Sequence, residues 1–204
     1  MSEIIEKFDQ NFITYVQKIA REGMYNAAVG FATMLGERLT VTEPVLKIIP
    51  YSEIPDLLGG LEAEAVGIYL RAEGSIPSQF MLILPFQKAK ELVDLLMDQP
   101  EGTTQQLGSL ERSALAEVGN LTGTFFMNTV ATLTHTELRP TPPAVMVDMV
   151  GAIMDIIVAT SGEVGENVMM LQASFELNNR QVQADLWIIP DATSLNQFVP
   201  RSKA

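Results

Sequence analysis

The chain has 204 residues with 13 Lys and Arg against 25 Asp and Glu, a formal net charge of −12. That length supports one sizeable core, and that charge sets nucleic acid and anionic membrane surfaces aside as general partners. The absence of cysteine removes disulfides, thiolate nucleophiles and cysteine-bound metals together, and fits a reducing cytoplasm.

In chain order, Met1 to Phe8 is acidic and amphipathic without a continuous apolar stretch, so it does not read as a signal peptide. Thr14, Lys18 and Arg21 share a helical face, and the overlapping stretch Ile19 to Ala28 (IAREGMYNAA) contains glycine and asparagine. A strand over Ala65 to Arg71, a turn over Glu73 to Pro77 and a strand over Phe80 to Leu84 closing on Pro85 form a hairpin of β-branched and aromatic residues. Phe86 to Met97 then has Leu, Val and Met at helical spacing, and Asp98 to Gly108 reads as a linker.

A long helix is expected to start near Leu110, with Ser109 as its cap and Glu111 at the positive end of its dipole. Leu115, Val118, Leu121, Phe125 and Phe126 give it a broad apolar side that packs on a sheet. The single histidine, His135, lies in a Thr-His-Thr step near the end of this helix; without a nucleophile motif it reads as a helix-terminus residue. The apolar run Ala144 to Ala159 is broken by Asp148 and Asp155 and is too short to span a bilayer. A second hairpin follows over Val168 to Phe175, Asn178 to Arg180 and Val182 to Ile189, closing on Pro190.

The two halves repeat loosely. Pro44 stands 99 residues before Pro143, while Pro85 stands 105 before Pro190, which places about six extra residues in the polar Ser161 to Asn167 stretch. The expectation is one α+β domain over 1–204, with an internal pseudo-twofold repeat: antiparallel hairpins packed by long helices, a half at about 1–98 and a half at about 109–204. No glycine-rich phosphate loop of either common kind is present, so a nucleotide enzyme is not expected.

The sharpest local feature is Ser113, Glu117 and Asn120, which fall at about 0°, 40° and 340° around a helix axis. Pro143 follows Asn120 after 22 intervening residues. As spacing alone, a Glu and an Asn three apart is common on solvated helices. The text ERSALAEVGN, with Pro142, Pro143 and the following VMVDMVGAI, resembles the active-site region of the CheC/CheX/FliY family, phosphatases of the chemotaxis response regulator CheY. The resemblance is nearest to the CheC members, because both halves are held in one chain.

That resemblance implies a cytoplasmic protein that hydrolyses the aspartyl phosphate of CheY. A phosphorylated receiver already holds its phosphoryl group beside its own Mg²⁺ and lysine, so a helper needs to place a water rather than supply a strong base or a metal. Asn120 fits the water, since a carboxamide both donates and accepts. Glu117 is implied to pair with the receiver's lysine, Ser113 to support the partner contact and Pro143 to set the rim. Asp148 lies in a stretch resembling the part of CheC that binds the deamidase CheD, which makes CheD a candidate second partner. In the first half, Thr14, Lys18 and Arg21 with Pro44 occupy the matching frame, but Arg and Lys only donate, so this site is expected to be degenerate. The alternative is a non-enzymatic adaptor that binds phosphorylated CheY or CheD without hydrolysis.

Overall fold

The computed structural model describes residues 14, 15, 17–19, 21–26, 29, 40–42, 45–75, 77–161, 167–177 and 180–190. The helical residues 14, 15, 17–19 and 21–26 are termed α1. They are followed by β1 (Thr40–Val41), β2 (Val45–Pro50), a helical turn through Tyr51–Glu53 into α2 (Ile54–Leu57), β3 (Glu64–Gly74), β4 (Ser78–Pro85) and α3 (Phe86–Leu96). Next come α4 (Ser109–Thr134), β5 (Leu138–Pro140), β6 (Ala144–Met149), α5 (Val150–Ser161), β7 (Asn167–Leu177) and β8 (Arg180–Pro190).

The eight strands form one antiparallel sheet with β4 and β8 paired at its centre and β3 and β7 flanking them. β5 and β6 follow one another along the outer edge of β3, and β1 and β2 do the same along β7. The edge segments are therefore exchanged: the pair that follows α4 in sequence completes the sheet of the first hairpin, and the early pair completes the second. The expectation of hairpins alone missed these short strands. Pro140, Pro142 and Pro143 interrupt this edge, yet proline is tolerated where only one side of a strand must be hydrogen-bonded.

Strand alternation sorts the core into two layers. Val66, Ile68, Leu70, Phe80, Leu82 and Leu84 face a cluster completed by Ile19 and Met24 of α1, Leu92 and Val93 of α3, and Leu115, Val118 and Phe126 of α4. Ala65, Met81, Ile83, Met170 and Trp187 face the opposite cluster, closed by Val150, Ile153 and Ile157 of α5 with Ile54 and Leu58. Because both faces are covered, β4 is an almost unbroken apolar run rather than an alternating one. Phe80 and Phe126 meet edge to face, with ring centroids 5.7 Å apart, and help hold α4 on the sheet.

The approach to α4 is fixed by one buried carboxylate. Asp94, 1% exposed, accepts hydrogen bonds from the backbone amides of Gly102 and Thr103 through Oδ2 and of Thr104 through Oδ1, at 2.8 to 3.1 Å. The segment expected as a linker is thus tethered to the end of α3. Burial alone would raise the pKa of Asp94, but the hydrogen bonds from Thr104, Gly102 and Thr103 outweigh it and leave it below its ordinary 3.8. Asp94→Ala is expected to cost about 2 to 3 kcal/mol in urea unfolding, since three amides lose their acceptor. A depressed carboxyl contributes stability above its unfolded pKa and loses it as pH falls through the folded value. The wild-type advantage over the variant should accordingly be constant near neutrality and shrink below pH 3.8; an advantage unchanged into that range would contradict the assignment.

The start of α4 differs in detail from expectation, and its end agrees. Its cap is Gly108 rather than Ser109, with extended backbone and no side-chain capping bond, and the helix begins at Ser109 itself. The Ser109 carbonyl instead accepts from the Ser113 hydroxyl. At the other end His135 adopts a left-handed conformation (φ 55°) and its amide donates to the Ala131 carbonyl. An exposed helix-terminus residue is what its sequence context suggested.

Candidate functional site

The position of the Ser113–Glu117–Asn120 stripe is set from the buried side of α4. Gly119 and Gly123, four apart, face β3, where a Cβ on Gly119 would collide with Ile68 Cγ2 and one on Gly123 with Leu70 Cδ1. These glycines serve helix-on-sheet packing within the protein. With the backbone of α4 pressed on β3, Leu115 and Val118 are fully buried, Ser113 and Glu117 are exposed and Asn120 is half-buried.

The opposing wall comes from the turn between β5 and β6. Ser113, Ala116, Glu117 and Asn120 on one side and Pro140, Thr141, Pro142 and Pro143 on the other line an open groove of about 470 Å³. Pro143 Cβ lies 3.7 Å from where a Cβ of Gly119 would sit, so this rim touches the helix one residue before Asn120. Thr141 fastens the turn to the sheet: its amide donates to the Arg71 carbonyl at 2.9 Å, and its Oγ1 accepts from the Arg71 amide at 2.9 Å. Pro142 and Pro143 have no amide hydrogen to continue the ladder, and beside them the Thr141 side chain serves as the acceptor for the Arg71 amide.

Chemically the groove is unsaturated. Among the described residues, neither the Glu117 carboxylate nor the Asn120 carboxamide has a hydrogen-bond or ion-pair partner. Ser113 differs, because its hydroxyl hydrogen is given to the Ser109 carbonyl at 2.8 Å, leaving it able only to accept. Of the groove residues, sequence reasoning missed Ala116, Pro140 and Thr141. Pro140 and Thr141 reach the groove through the pairing of β5 and β6 with β3, which no local sequence signal marks.

The remaining residues of interest lie elsewhere. Thr14, Lys18 and Arg21 are exposed on α1, and Lys18 pairs loosely with Glu22 at 3.9 Å across one helical turn. Pro44 and most of the Ser161 to Asn167 stretch lie outside the described residues. Asp148 sits on the edge strand β6, just before α5, exposed and accepting from the Met149 amide at 2.8 Å. Among the described residues, no helix is long and apolar enough to cross a membrane, and no three His, Asp or Glu side chains cluster as a metal site.

An antiparallel sheet packed by helices in this order is the α+β CheC-like fold. The solved FliY of Thermotoga maritima superposes with a TM-score of 0.72 at 15% identity, covering 94% of this chain and 95% of that one. The structure of a CheX–CheY–BeF3–Mg²⁺ complex from Borrelia burgdorferi matches with a TM-score of 0.50 at 18% identity, covering 83% and 96%. In sequence, residues 110–147, which carry the whole groove, match the CheC-like family. The chain is 26% identical over 187 residues to the CheY-P phosphatase CheC of Bacillus subtilis (strain 168), covering 90% of each. The match to the CheC-like family is thus confined to the stretch that carries the groove, and the fold is the one seen in the FliY structure.

Proposed function

We propose that this chain is a cytoplasmic phosphatase in chemotaxis signalling that hydrolyses the aspartyl phosphate of a CheY receiver, through one site on α4. The observation that carries the reading is the unpartnered pair Glu117 and Asn120 in one open groove. A carboxylate and an amide with no internal partner are held for an external one, and a rigid helix seated by two glycines presents them in a fixed relation. The named activity of the B. subtilis relative and the CheX–CheY complex support a CheY-related role.

In this reading Glu117 docks on the receiver's active-site lysine, and Asn120 orients water in line with the phosphorus–oxygen bond to be broken. Water attacks phosphorus, the aspartate carboxylate leaves and inorganic phosphate departs; the Mg²⁺ that neutralises the developing charge belongs to the receiver substrate. Pro143 shapes the rim and Asp148, remote from the groove on the β6 edge, is a contact for CheD. The two hairpins with their helices form a single domain of two pseudo-repeats, of which only the second is active. Release of inorganic phosphate from a phosphorylated receiver by substoichiometric chain tests the function. Binding without release would leave the adaptor reading in its place.

The first half supplies a separate test. Lys18 and Arg21 carry no acceptor for a water and no charge to pair with a lysine. The combined Lys18→Ala and Arg21→Ala variant should therefore keep turnover within roughly twofold of wild type in the same assay, as ordinary surface substitutions do. A collapse of turnover would place essential chemistry on α1.

A further inference from the structure

The groove is rich in acceptors and short of donors, although a phosphoryl group carries oxygens that need donors. Glu117 only accepts when ionised, and the Ser113 hydrogen is committed to the Ser109 carbonyl. That leaves the Asn120 amide, which keeps one N–H to give if its carbonyl and its other N–H hold a water. Thr141 is the other hydroxyl-bearing residue that lines the groove. Its oxygen accepts from the Arg71 amide at 2.9 Å, while its hydrogen has no acceptor among the described residues. Accepting one hydrogen bond polarises the O–H and strengthens the bond it gives. The turn that carries it is pinned by the second Thr141–Arg71 bond, so the donor is held in place before any partner arrives.

We propose that Thr141 is a catalytic residue that donates its hydroxyl hydrogen bond to a phosphoryl oxygen of the substrate, facing Asn120 across the groove. The inference rests on the phosphatase reading above. It also gives a reason for the donor: Glu117, by engaging the receiver's lysine, competes with that lysine's contact to the phosphoryl group, and Thr141 supplies a replacement. The contact strengthens as charge gathers on the phosphoryl oxygens, so its loss should appear in kcat rather than KM.

The test is steady-state phosphate release from a phosphorylated receiver by wild type, Thr141→Ser and Thr141→Val. Valine keeps the branched shape and loses the hydroxyl; the Arg71 amide it strands is at an exposed position and can turn to water. Valine is expected to lower kcat by roughly 10- to 10²-fold with KM within about twofold, and serine to stay within about threefold of wild type. If wild type releases phosphate and valine keeps its kcat, or loses activity through KM alone, the Thr141 assignment is overturned while the phosphatase reading stands. Wild type without phosphate release would overturn the reading itself. Should valine fail to fold by circular dichroism, Thr141→Asp retains an acceptor for the Arg71 amide but has no hydrogen to donate at neutral pH. Loss of kcat in that variant supports the assignment, and a wild-type kcat overturns it.

Discussion

Asn120→Ala is expected to lower phosphate release from a phosphorylated receiver by roughly 10²-fold or more, because a water contact made in the transition state is removed. The fold should be untouched. Asn120 makes no hydrogen bond within the described residues, so deleting its amide strands no internal partner. Circular dichroism and the urea midpoint should match wild type, and affinity for a beryllofluoride-loaded receiver should change little. Glu117 is assigned to docking instead, so its removal should act on the productive complex. A wild-type rate for the asparagine variant would remove the proposed mechanism.

The second large effect is expected from the opposite side of the same helix. Gly119→Val should destabilise the protein by about 3 kcal/mol or more, measured by urea unfolding, because the added carbons enter a filled core. The collision is with Ile68, a β-branched residue that is fully buried on a strand paired on both sides and has little freedom to turn away. Relief by lifting α4 would move Asn120 away from the Pro143 rim, so activity should fall further than the loss of folded protein explains. A variant with unchanged stability and turnover would show that α4 is not seated on β3 through Gly119.

The residues that define the groove's helical wall were legible from sequence because a helix converts spacing directly into a face. Ser113, Glu117 and Asn120 could be placed on one stripe before any tertiary structure was known, and the apolar residues opposite them told which side meets the sheet. The two hairpins and α3 were legible for a similar reason, since their periodicity is local. The edge strands were not. β5 and β6 take their structure from pairing with β3, some 70 residues earlier in the chain, as in the Arg71–Thr141 bond. Nothing local in a proline-rich turn announces that partner. The same non-local exchange hid Thr141, which bonds the β3 backbone through its hydroxyl and is one of the residues lining a groove built on α4. Asp94 was overlooked because a helical aspartate ordinarily faces water; its three amide partners come from the following loop, which only the folded path brings back over it.

A turnover count distinguishes most directly a groove that catalyses hydrolysis from one that captures a phosphorylated receiver. With the chain held well below the concentration of phosphorylated receiver, many phosphates are expected per chain, at a rate far above the receiver's own, with loss of that rate but not of binding in Asn120→Ala. Stoichiometric binding with release no faster than the receiver's own rate would contradict catalysis by the groove.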